Sequence, residues 1–144
     1  MKKKIKIKYM DSDLPKLEKI STGDWIDLRV ADTLELKEGN TYKIPLGVAM
    51  KLPKGYEALI IPRSSTFFKY GLIQGNSVGL IDNSYCGDKD EWCYPVYAMR
   101  DITIPKGTRI CQFRLLKNQD TIRFYEVRNL AHISRGGFGS TGEY

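Results

Sequence analysis

The sequence predicts an all-β domain, and three observations carry that prediction. Apolar and polar residues alternate with a period of two in stretch after stretch, turn signals such as "IPKG" separate those stretches, and only one segment reads as helix. Many short strands with regular turns and almost no helix build a β-sandwich, a jelly roll or a barrel. The 144 residues, 42% of them hydrophobic and 28% charged, suffice for one globular domain with its own core.

At the start, "MKKKIKIKYM" alternates Ile5, Ile7 and Tyr9 with Lys4, Lys6 and Lys8, a strand with one wet face. It is basic but lacks the apolar core of a signal peptide. "WIDLRV" places Ile26, Leu28 and Val30 on one face and Asp27 and Arg29 on the other. "GVAMKLPKGYEALIIP" reads as two strands joined by a turn at Pro53-Lys54-Gly55. "SSTFFKYG" suits a helical turn or two, its serines capping the start and Gly71 the end. "YPVYAM", "RICQFRLL" and "TIRFYEV" continue the strand series, and "ISRGGFGSTGEY" closes the chain with too little apolar mass to pack. The expected organisation is one β domain over 1–133 and a flexible C-terminal lid over 134–144, with no linker or internal repeat.

Composition excludes several classes of function. Cys86, Cys93 and Cys111 form no CxxC pair, so neither a disulfide framework nor a zinc site is signalled, and reduced cytoplasmic thiols are expected. The single histidine, His132, rules out a two-histidine metal site. No apolar run reaches the length of a membrane helix. Net charge is +6, which favours an anionic partner. The basic residues are scattered rather than gathered in a stripe with interleaved aromatics, so a small anion is expected and direct nucleic-acid binding is not.

Four stretches carry candidate chemistry, each with a plainer structural alternative. "PRSS" joins Arg63 to the hydroxyls of Ser64 and Ser65 at a helix start, either a phosphate-sized anion site or a simple cap. "GNSVGLIDNSYCGD" sets Asp82 at a strand end, where a carboxylate can deprotonate water. Asn76 there offers a donor and an acceptor to a base edge, and Tyr85 offers a flat surface to a sugar; the alternative is an ordinary hairpin. "IPKGTRICQF" carries Gln112 on an otherwise apolar strand, either solvent-facing or aimed at a ligand. In the tail, glycines let the backbone wrap an anion, Arg135 pairs with phosphate and Phe138 stacks on a base; the alternative is a frayed terminus.

Together, in this order, the stretches resemble the five motifs of the homotrimeric dUTPase family, from about residue 20 to the end. Asp27-Leu28 matches the first motif, and Arg63-Ser64-Ser65 with Lys69 and Gly71 the second. Asn76, Gly79, Ile81, Asp82, Tyr85 and Gly87 match the third, the most specific of the five. Pro105, Gly107, Arg109, Ile110 and Gln112 match the fourth, and the glycine-rich run from Gly136 to Gly142 the fifth.

The resemblance implies a jelly roll, or distorted β-barrel, that trimerises with active sites at subunit interfaces. It implies hydrolysis of dUTP to dUMP and pyrophosphate, which keeps uracil out of DNA and supplies dUMP for dTMP synthesis in the cytoplasm. By position, Asp82 would activate water for attack on the α-phosphorus. Asn76 and the backbone of Gly79, Leu80 and Ile81 would read uracil, Tyr85 would lie under the deoxyribose, and Phe138 would stack on the base. Arg63, Ser64, Ser65, Gln112, Arg135, Gly136, Ser140 and Thr141 would hold phosphates. Mg2+ would ride on the triphosphate, with Asp27 reaching it only through water.

Two departures mark this chain. Trp25-Ile26 stand before Asp27 where the family has a small Ala-Gly pair. In the tail, "SRGGFG" places Arg135 two residues closer to Phe138 than the family's motif does. The acidic loop "CGDKDEWCYP" is also unusual, and its Trp92 is an alternative stacking residue. Among rival functions, dCTP deaminase shares "PRSS" but needs a glutamate on the strand after the third motif, and "YPVYAMRD" has none. A non-catalytic jelly-roll interaction protein, or a dUTPase also used as a regulator, is the rival from another class.

Overall fold

In a computed structural model that describes residues 2–139, 141, 142 and 144, eleven short strands and one helix form the domain. The strands are β1 (Lys6–Tyr9), β2 (Ile26–Arg29), β3 (Leu34–Leu36), β4 (Thr41–Pro45), β5 (Val48–Lys51) and β6 (Tyr56–Pro62), followed by α1 (Thr66–Tyr70). After it come β7 (Leu72–Gln74), β8 (Gly79–Ile81), β9 (Cys93–Ala98), β10 (Ile102–Ile104) and β11 (Arg109–Lys117). The predicted all-β class holds as a jelly-roll-like arrangement of four antiparallel sheets that do not close into a barrel. The sheets run β2-β11-β6-β8, β4-β9-β7, β1-β5 and β3-β10. Among the described residues no helix is long and apolar enough to cross a membrane.

The period-two pattern becomes burial. Leu28 and Val30 are fully buried while Asp27 and Arg29 on the opposite face stay half-buried. Trp92, Tyr94 and Phe113 fill the centre, with the Trp92 and Phe113 rings edge to face at 5.2 Å. Trp92 therefore belongs to the core and is no candidate for stacking on a ligand, because its ring has no exposed surface left to offer.

Three local expectations are revised. The turn at Pro53–Gly55 forms, but the strands it joins do not pair: β5 goes to β1, whereas β6 goes to β11 and β8. "TIRFYEV" forms no strand; residues 118–139 carry no helix or strand, and Phe124 and Tyr125 are exposed. That stretch has the alternation of a strand but no neighbouring strand within its own chain to bond with. Finally, Ser65 occupies the N-cap of α1 without making a capping bond, its backbone already helical (φ −89°, ψ −12°) where a capping residue is ordinarily extended. The C-cap is as expected: Gly71 takes φ +64°, and Arg100 donates to the carbonyls of Phe68 and Lys69 at the same end.

Candidate functional site

The basic half of the site grows from the sheet β2-β11-β6. Asp27 on β2 lies directly across from Gln112 on β11, which in turn pairs with Ile61 on β6. A bulge between Arg109 and Cys111 inserts Ile110, so Arg109 and Gln112, three residues apart, both reach the Asp27 side. The same bulge explains why consecutive Ile110 and Cys111 are both fully buried. Asp27 then bridges two guanidiniums, Arg63 Nε at 3.2 Å and Arg109 at 3.7 Å. Gln112 Nε2 donates to the Pro62 carbonyl at 3.1 Å, which fixes its amide beside the "PRSS" turn. The result is a cluster of donors in which one carboxylate holds Arg63 and Arg109 and the Pro62 carbonyl holds Gln112.

Thr66 locks the turn that presents Arg63. Its hydroxyl accepts from the Arg63 backbone N–H at 2.9 Å and donates to the Ile110 carbonyl at 2.7 Å, and the side chain is buried. The serines are thereby freed: Ser64 is exposed and Ser65 half-buried.

The acidic half grows from β8, the outer strand of its sheet. Gly79, Leu80 and Ile81 pair with Ile60, Leu59 and Ala58 on one side only, so backbone groups on the other side face outward unpaired. Gly79 suits that close pairing, since a Cβ there would lie 3.2 Å from the Ile60 Cβ, tighter than an ordinary contact. At the strand's end, Asp82 accepts from the Ser84 backbone N–H at 2.8 Å and from the Ser84 hydroxyl. The Ser84 hydroxyl first, then its N–H, hold the Asp82 carboxyl below the usual carboxylate range, with slight opposition from burial. Asn83 clamps the loop by donating to the carbonyls of Leu52, Pro53 and Tyr56 at 2.9–3.3 Å.

Tyr85 completes a hollow with Lys43, Leu80, Ile81, Asp82, Glu91 and Cys93. Its phenol donates to the Glu91 carbonyl at 2.8 Å, which holds the ring in place. Glu91 is itself fixed by its carboxylate, which accepts from the Gly47 N–H at 2.8 Å.

These two halves do not meet within one chain. Because β8 runs antiparallel to β6, Asp82 falls near Glu57 while Arg63 lies beyond the far end of β6. Six residues of extended strand separate those points, about 20 Å. Among the described tail residues Arg135, Gly136, Phe138 and Thr141 are all exposed, and Ser140 lies outside the described residues. Thr66, Ser84, Asn83 and Glu91 are the supporting residues that motif reading passed over. The hydroxyl run "SSTF" signals Thr66 and the turn residues of "DNS" signal Asn83 and Ser84, whereas nothing local signals Glu91.

With this geometry in view, comparisons with known proteins agree with one another. The dUTPase family model matches residues 21–142. The SPbeta prophage-derived deoxyuridine 5'-triphosphate nucleotidohydrolase YosS of Bacillus subtilis is 52% identical over 138 residues, 96% of this chain and 97% of that protein. The crystal structure of dUTPase from Streptococcus mutans superposes with a TM-score of 0.71 at 22% identity, covering 81% of this chain and 98% of that one. A variant dUTPase of Staphylococcus bacteriophage 80alpha, solved with dUpNHpp, gives 0.75 at 24% identity over 96% of this chain and 98% of that one.

Proposed function

The chain belongs to the dUTPase family and hydrolyses dUTP, and from that premise we propose that Asp82 is the general base and that each active site is shared between subunits of a homotrimer. The observation that carries this reading is the open edge of β8 running into Asp82, with Tyr85 fixed beside it. Outward backbone donors and acceptors of Gly79, Leu80 and Ile81, with Asn76, suit the edge of uracil, where the exocyclic amine of cytosine meets the wrong partner. The Tyr85 ring packs under the deoxyribose and leaves no room for a 2′-hydroxyl.

Asp82 takes a proton from water as the water oxygen bonds to the α-phosphorus. The bond from that phosphorus to the β-bridging oxygen breaks, releasing pyrophosphate and leaving dUMP, which feeds dTMP synthesis. Arg63, Ser64, Ser65 and Gln112 hold the phosphates and carry the charge, as phosphoryl transfer demands positioning above all. They come from a neighbouring subunit, since a triphosphate whose α-phosphorus lies one water away from Asp82 cannot span the length of β6 to Arg63. Arg135, Gly136, Ser140, Thr141 and the stacking ring of Phe138 close the site. The exposed alternation of "TIRFYEV" suits a segment that pairs with another subunit rather than its own.

Mg2+ fits this site as a companion of the substrate. Both Asp27 oxygens already face arginines, so a cation would reach that carboxylate only through water, and the phosphate oxygens would hold it. Bound there, Mg2+ neutralises phosphate charge. Free thiols at Cys86, Cys93 and Cys111 suit a reducing, cytoplasmic setting.

Pyrophosphate release measured across dUTP, dCTP, dTTP and UTP with Mg2+ tests the reading. We expect turnover of dUTP alone; ammonia release from dCTP, or equal turnover of UTP, would sink it. The pH profile gives a second test. A lowered Asp82 pKa keeps the base ionised well into acid, so the acid limb of kcat/KM lies below the ordinary carboxylate range. Ser84→Ala removes the leading donor, raises that pKa and moves the limb upward. An unmoved limb would show that a different group titrates.

A further inference from the structure

Gln74, the last residue of β7, is buried, yet nothing in the reaction described so far uses it. Its Nε2 donates to the Ile60 carbonyl and to Asn76 Oδ1, both at 3.0 Å, while its Oε1 has no partner among the described residues. A buried amide with one orphaned atom is costly, and an apolar residue would fill the space without that cost. Stability therefore gives no reason for a glutamine here.

The hydrogen-bond logic gives one. The Ile60 carbonyl belongs to the backbone of β6 and can only accept, so it fixes which end of the Gln74 amide faces it. The second Nε2 hydrogen then points at Asn76, which must answer with its oxygen, because its NH2 group would meet another donor. The orientation of an exposed amide is thus set from the core in two steps. Asn76 Nδ2 is left turned toward Gly79 at the head of β8, 3.6 Å from where a Cβ would stand. Backbone geometry reinforces the placement: Ser77 adopts φ +58° and the Val78 N–H returns to the Asn76 carbonyl, a tight turn that holds Asn76 at the mouth of the hairpin.

We propose that Gln74 is a positioning residue for base recognition. Acting through Asn76, it makes Nδ2 a permanent donor that donates to a pyrimidine carbonyl oxygen and repels an exocyclic amine. This inference rests on reading the hairpin from Asn76 to Asp82 as the uracil site, and the experiment separates the two.

Three variants of the full-length protein, Gln74→Met, Gln74→Glu and Asn76→Ala, are compared for kcat and KM on dUTP and dCTP, with thermal midpoints. Gln74→Met keeps the volume and deletes the relay. Its KM for dUTP is expected to rise about tenfold, the value of one well-aimed hydrogen bond. Its preference for dUTP over dCTP shrinks, while kcat and Tm hold. Gln74→Glu gives a pH signature. Protonated, its one O–H still serves one of the two oxygens; ionised, it opposes both, so its KM climbs with pH where the parent's does not. If Asn76→Ala raises KM but Gln74→Met leaves KM and preference at parent values, the positioning role is wrong and the hairpin reading stands. If Asn76→Ala is also silent, the hairpin reading fails and the inference with it. A Gln74→Met variant that only lowers Tm would mark the residue as structural.

Discussion

Asp82→Asn lowers the rate of pyrophosphate release by about two to four orders of magnitude, the worth of a positioned general base, while dUTP still binds. Asparagine keeps the shape and can still accept from Ser84, so the loop held by Asn83 has no reason to move. What is lost is the proton acceptor. Turnover at the parent rate would place the base elsewhere. The same variant also tests the architecture when co-expressed with Arg63→Ala. Each alone is inactive, one lacking the base and the other a phosphate clamp tied to Asp27. In mixed trimers a site that draws Asp82 from one chain and Arg63 from another regains both, so roughly a quarter of the parent activity returns. If one chain supplied both groups, mixing would restore nothing.

Deleting residues 134–144 cuts turnover by about a hundredfold, the scale lost when a closing segment no longer orients the substrate, and it leaves Tm within a degree or two. The two outcomes separate because the described tail residues stand outside the core: Phe138 and Arg135 are both exposed. A free glycine-rich segment loses much entropy when it orders, so it orders only against a ligand that repays it. Phe138→Ala and Arg135→Ala then divide the loss between base stacking and phosphate pairing. That division matters because only Gly136 and Gly137 lie between the two residues. A deletion with unchanged kcat and KM would remove the tail from the site. A large fall in Tm would show that it packs on the domain instead.

Much of this protein was fixed by local pattern. Alternation identified the strands because a period of two is what a sheet with one buried face requires, and it placed Leu28 inward and Asp27 outward correctly. The resemblance to the family's five motifs, rather than any one stretch, put forward Asp82, Arg63, Asn76, Tyr85 and Gln112 as site residues. Tertiary structure decided what those groups are next to. Which strand pairs with which depends on partners far away in sequence, so the separation of β5 from β6 could not be read locally. "TIRFYEV" shows the same limit, because alternation announces a strand without supplying its neighbour. The bulge at Ile110, the Thr66 lock behind Arg63 and the hydrogen bond from Gln74 to Asn76 are all contacts across sheets or turns. Residue types name the chemistry available; only the pairing of distant strands aims it. The distance along β6 from Asp82 to Arg63 is the clearest case, for the proposal of a site shared between chains rests on that pairing.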